Sequence, residues 1–146
     1  MTFSLVRCAA DGEPVEPIGV LAAGIAANCV STANLYARVG FVEPWVGYIA
    51  VDSGAAVGGG AFVGPPRENR VEIAYYTLKE FEGRGYATQT AAGLLAIARR
   101  AQPGVVITAF TLPEWNGSAK VLQRLGFELF GNARDPDAGD VWEWRA

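Results

Sequence analysis

The chain has 146 residues, 51% of them hydrophobic and 18% charged, with a formal net charge of −3 and no histidine. That length suits one domain with a proper core. The lack of histidine excludes imidazole catalysis and the usual zinc sites, and the mildly acidic balance, with no basic patch, argues against nucleic acid as the main partner.

In chain order, Thr2–Arg7 alternates and predicts a first strand at a sheet edge. Asp11–Pro17 is a turn-rich connector. Ile18–Ala37 has a helical apolar pattern, with a break expected at Cys29–Ser31, where Ser, Thr and β-branched residues cluster. Its apolar part is shorter than the ~20 residues a bilayer requires, so it reads as a buried helix and not a membrane span. Leu35, Tyr36 and Phe41 belong either to the core or to a pocket wall. Trp45–Val51 and Ala55–Val63 form a hairpin about Asp52-Ser53-Gly54. The run Gly58–Gly60 marks close approach of another backbone or a ligand. Gly64–Arg70 is a loop, and Val71–Leu78 a strand. A helix follows to about Ala101, stopped by Pro103-Gly104. The apolar run Val105–Thr111 predicts a strand buried on both faces. Asn116 or Ser118 caps a helix within Pro113–Leu125, and Gly126 ends it. Phe127–Phe130 and Val141–Trp144 pair around a polar loop, Gly131–Asp140. Cys8 and Cys29 lack metal spacing and read as reduced small hydrophobes, which suits the cytoplasm. The N-terminus has neither the basic start nor the long apolar run of a signal peptide.

Where the Val71–Leu78 strand hands over to its helix, the sequence is Glu82-Gly83-Arg84-Gly85-Tyr86-Ala87. Small residues let a ligand approach the main chain. The unpaired N–H groups at the helix start, with the positive end of its dipole, favour a phosphate or pyrophosphate. This segment resembles the acyl-CoA-binding motif of the GNAT superfamily, the acetyl-CoA-dependent N-acetyltransferases, whose pattern is Q/R-x-x-G-x-G/A. Gly85 and Ala87 fall on its small positions, while Glu82 departs from Q/R. Downstream, NGSAKVLQRLGF resembles the N-x-S-x-x-V-L-x-K/R-L-G-F signature of the branch that acetylates ribosomal-protein N-termini. The resemblance implies a single domain over residues 1–146. It implies an α/β fold, with a mixed, mostly antiparallel central sheet of six to seven strands and helices on both faces. The expected order is β–α(α)–β–β–β–α–β–α–β–β, with the N-terminal helix either whole or split in two. The fourth strand and the strand after the motif helix are expected to splay apart around the cofactor.

The same resemblance implies acetyl transfer from acetyl-CoA to a primary amine, a small amine or a peptide N-terminus, by direct attack in a ternary complex without a metal. The pyrophosphate is expected on the main chain of Gly83, Arg84, Gly85, Tyr86, Ala87 and Thr88. The pantetheine arm is expected to lie as an added strand along Tyr76, Thr77 and Leu78. A main-chain N–H near Tyr76 or Thr77 is the expected oxyanion donor. Without histidine the base must be a carboxylate or water, and Glu72 on the motif strand is the candidate. Its alternative is a strand glutamate at the sheet rim. Many family members donate to the thiolate from a tyrosine four residues before Gly-Phe; Leu122 stands there, so Ser118 takes the role, with Tyr75 or Tyr76 in reserve. Asn116 either contacts the pantetheine or only caps its helix. The Glu82 side chain is expected to point to solvent, towards Arg84. A competing reading is an acyl-CoA sensor without turnover, favoured by Glu82 and Leu122. A nucleotide-phosphate loop is disfavoured, since no Lys-Ser/Thr follows the glycines. No membrane partner is expected. The apolar N-terminal helix and four tryptophans leave room for a homodimer.

Overall fold

In a computed structural model, which describes residues 3–18 and 23–146, the elements run in the expected order. They are β1 (Phe3–Arg7), α1 (Ala23–Val39), β2 (Gly47–Asp52), β3 (Ala55–Phe62), β4 (Arg70–Thr77), α2 (Tyr86–Ala101), β5 (Val106–Thr111), α3 (Gly117–Arg124), β6 (Glu128–Asp135) and β7 (Gly139–Arg145). Seven strands make one sheet in the order β1-β2-β3-β4-β5-β7-β6. Every pairing is antiparallel except β4 with β5.

Alternation along the strands sends side chains to two faces, and the helices divide them. Leu94, Leu95 and Ala98 of α2 and Ala119 and Leu122 of α3 bury one face against Phe62, Ile73, Ile107 and Trp144. Ile25 and Cys29 of α1 cover part of the other against Val6, Ile49 and Val51. That cover does not reach β5, where Phe110 stays 39% exposed. The glycines of β3 belong to this packing. A Cβ on Gly58 would lie 2.3 Å from the Tyr76 carbonyl oxygen, and one on Gly60 would lie 2.8 Å from Leu94 Cδ1. Close approach of the neighbouring strand and of α2 explains the run.

Three expectations are corrected. α1 is unbroken through Cys29–Ser31: packing of Ile25 and Cys29 against the sheet outweighs the weak local propensity, and the Thr32 hydroxyl is satisfied within the helix by the Asn28 carbonyl (2.9 Å). The expected helix start falls partly on residues 19–22, outside the described residues. The supposed polar loop Gly131–Asp140 is mostly strand. β6 and β7 pair as far as Asp135 and Gly139, and the Asp135 carboxylate accepts from the amides of Asp137 (2.8 Å) and Ala138 (2.9 Å) to close the turn. Polar side chains there mark an edge strand and not a loop. β5 is open on one face at Phe110 only, its residues Ile107, Thr108, Ala109 and Thr111 being buried. Tyr36, for its part, is core: its hydroxyl accepts from the Gly47 amide (2.8 Å) and donates to the Cys8 carbonyl (3.3 Å). Leu35 and Phe41 line neither hollow described below.

Candidate active site

β4 and β5 pair over three rungs only, Arg70↔Val106, Val71↔Ile107 and Glu72↔Thr108. Beyond Glu72 the strands part. A cavity of about 690 Å³ occupies the opening on the α2–α3 side. Tyr75, Tyr76 and Thr77 form its floor. Gly83, Gly85, Tyr86, Ala87 and Thr88 form one wall, and Asn116, Gly117 and Ser118 the other. Residues far apart in sequence thus meet because two helix N-termini open on one gap.

The wall at α2 suits an anion. Gly85 is the N-cap, in the left-handed region at φ 85°, and no side chain caps the helix. A Cβ added at Gly83 or Gly85 would meet nothing within 4 Å. The first amides of α2 are therefore open to a ligand at the positive end of the dipole. Tyr86 is held outward of these amides: its hydroxyl donates to the Asp52 carboxylate (2.5 Å) and its ring stacks on Phe3. That bond to Asp52 is the main cause raising the Tyr86 phenol.

The floor offers main-chain donors. The Leu78 amide donates to the Val57 carbonyl of β3 (2.8 Å). Amides along a strand alternate between its two edges, so those of Tyr75 and Thr77 face the gap and that of Tyr76 faces β3. The Thr77 hydroxyl is buried without a partner among the described residues. Tyr75 crosses the gap, its hydroxyl 3.4 Å from the Ser118 carbonyl oxygen. Burial pushes its phenol up to about 12, so it stays protonated.

Three expected site residues lie elsewhere. Leu78 does not line the cavity: its side chain packs on the second core cluster and its amide is spent on β3. Arg84 does not line it either; its guanidinium sits over the Phe81 ring, 5.5 Å from the centroid. Glu82 is exposed, yet it lines the cavity mouth, and among the described residues it makes no ion pair with Arg84. Asn116 is the N-cap of α3, accepting from the Ala119 amide (3.0 Å), and it lines the cavity as well. Ser118 lines the cavity from the first turn of α3.

Glu72 faces the other side of the sheet. It sits on the last rung before the strands part and lines a second hollow of about 500 Å³, with Thr108, Phe110 and Glu143. It is half-buried. Burial, then Asp135 and Glu143, raise its carboxyl above the ordinary 4.5. The two hollows thus lie on opposite faces of the sheet, with Glu72 lining one and β4 from Tyr75 onward flooring the other.

Reading the sequence missed Phe81, Gly117, Val121 and Arg124, which also line the first cavity. The last three were legible: Gly117, Val121 and Arg124 fall at i, i+4 and i+7, one face of α3. Phe81 sits on a single 3-10 turn, Lys79–Phe81, whose position no periodicity signals.

Comparison with known proteins agrees with this geometry. Residues 22–128, well over half of the chain, match the family model described as acetyltransferase (GNAT) domain. The uncharacterized N-acetyltransferase YjdG of Bacillus subtilis (strain 168) is 34% identical over 88 residues, which cover 60% of this chain and 52% of that protein. The chain thus spans about half the length of this curated relative (52%). The apo structure of RimL, a ribosomal L7/L12 alpha-N-protein acetyltransferase, superposes with a TM-score of 0.72 at 17% identity, covering 99% of this chain and 92% of that one. The ribosomal-protein-S5-alanine acetyltransferase from Vibrio fischeri gives 0.65 at 20% identity, covering 84% and 70%. At these identities the two structures speak for the fold.

Proposed function

The chain belongs to the GNAT acetyltransferase family, and from that premise we propose that it moves the acetyl group of acetyl-CoA to a primary amine by direct attack in a ternary complex. The observation that carries the reading is the parting of β4 from β5 after Glu72 and Thr108, with the uncapped start of α2 opening on the gap. The residues present fit the co-substrate. The amides from Gly83 to Thr88 bind the pyrophosphate, and Arg124 adds positive charge at the same cavity. The edge amide of Thr77 pairs with the pantetheine arm, and that of Tyr75, nearer Glu72 along β4, donates to the thioester oxygen as it gains charge.

The amine nitrogen attacks the carbonyl carbon; the C–N bond forms, the C–S bond breaks, and the electron pair leaves on the thiolate. The Ser118 hydroxyl stabilises that thiolate, and the protonated Tyr75 stands beside it as a second donor. The amine proton passes, through water, to the carboxylate of Glu72, which burial makes more basic than a solvated one. Free, buried Cys8 and Cys29 suit a reducing compartment, and the cytoplasm is the proposed location.

The test is thiol release from acetyl-CoA with a panel of primary amines. Release above background that Glu72→Gln abolishes supports catalysis. CoA binding without release for any amine supports the second reading, a non-catalytic acyl-CoA module, which the carboxylate of Glu82 at the cavity mouth favours.

A further inference from the structure

The second hollow carries a charge pattern that the transfer chemistry leaves unused. Arg67 and Arg70 bond to each other through both amides, each donating to the other's carbonyl at 2.9 Å. Between them Glu68 and Asn69 have φ of 50° and 59°, the left-handed pair of a type I′ turn. The turn is anchored from outside. The Asn69 side chain donates to the Gly104 carbonyl (3.0 Å) and accepts from Gln102 Nε2 (2.8 Å), at the end of α2. Cross-paired residues project to one face, and residues two apart on a strand share it. Arg67, Arg70 and Glu72 therefore stand on the same face, and all three line the hollow.

Among the described residues neither arginine makes an ion pair. The third arginine of the hollow differs: Arg145 is neutralised by Glu143 at 2.7 Å and rests on the Phe130 ring, 3.5 Å from its centroid. On the β6–β7 side the charges acting on Glu72 are negative, Asp135 and Glu143. The hollow is thus polarised along β4, with two arginines against the single carboxylate of Glu68 at the turn and the carboxyl of Glu72 at the other end. Two residues of strand span about 6.6 Å, so the two ends are a few bonds of a small molecule apart.

On the transferase reading, on which this rests, we infer that the acceptor is a zwitterion: a primary amine that also bears a carboxylate or other anionic group a few bonds away. Its amine sits at Glu72 and its anion between Arg67 and Arg70. A polyamine or a lysine side chain in a basic peptide is disfavoured, because its second cation meets the arginine pair. A free aminocarboxylate and a peptide N-terminus with an acidic residue next to it both supply the required chemistry.

The experiment measures kcat and KM for matched acceptors: 3-aminopropionate against propylamine, and a Gly-Asp peptide against its Gly-Asn counterpart. The carboxylate member of a pair should win in kcat/KM by about tenfold, through KM, as expected for a charge-assisted contact. Whichever pair shows the larger preference identifies the source. Arg67→Gln with Arg70→Gln should remove most of that preference by raising KM, and Arg70→Lys alone should keep part of it. Both side chains are exposed and the turn is made by main-chain bonds, so these variants keep the fold. Equal turnover of charged and neutral members overturns the zwitterion and leaves the transferase standing. Should no amine be acetylated, the transferase reading fails, and calorimetry with 3-aminopropionate in the presence of CoA decides the rest. Binding that the double glutamine variant weakens about tenfold keeps the zwitterion site. Absence of binding overturns it.

Discussion

On the proposed mechanism, Glu72 costs stability and serves chemistry. Burial and the nearby Asp135 and Glu143 raise its carboxyl above the ordinary 4.5. A raised value means that the folded state prefers the neutral form. Stability from this group is therefore full below pH 4.5 and is lost as the pH rises through the folded-state value. Glu72→Gln should raise Tm at pH 7, and the gain should vanish below pH 4.5 in melting curves taken across pH. The same variant should lower kcat about 100-fold or more, the usual contribution of a general base. A Tm that falls at neutral pH would mean that the carboxylate is held by a favourable contact and is no strained base. Ser118→Ala tests the leaving-group role. It should lower kcat with little change in the Kd for CoA; equal losses in both would reduce Ser118 to a residue of the α3 first turn.

At the level of elements, the two helix N-termini that share the cavity are built differently. α3 is capped by its own Asn116, whereas α2 begins at a glycine and leaves its amides for a ligand. Asn116→Ala should therefore cost about 1 kcal/mol of stability, read as a drop in Tm, before any effect on CoA is considered. Gly85→Glu should cost a similar amount and act mainly on the ligand. The space around a Cβ there is open, and the penalty for a side chain at φ 85° is on the order of 1 kcal/mol, so the fold survives. Bulk and negative charge would occupy the phosphate position, and calorimetry should detect no CoA binding. Unchanged affinity would remove the start of α2 from the site.

For the whole molecule, a ligand bound across β4, α2 and α3 stabilises all that these elements hold. CoA at 100 times its Kd should add about 2.7 kcal/mol and raise Tm by roughly 5–10 °C, and the Gly85→Glu variant should show no such shift. The sequence by itself determined the order of elements, the Gly83–Gly85 turn ahead of α2, and a cap for α3 at Asn116 or Ser118, because these follow from local propensity and main-chain sterics. It also carried the family resemblance through residues that local spacing keeps together. Tertiary structure alone decided the rest. The extension of β6 and β7 through Gly131–Asp140 depends on cross-strand partners, which no local pattern shows. Whether Leu78 lines the cavity or joins the core depends on which edge of β4 is already paired. The meeting of Glu72, Arg67 and Arg70 with Glu143 depends on three strands being brought side by side. Charge reaches through space, and position along the chain does not record it.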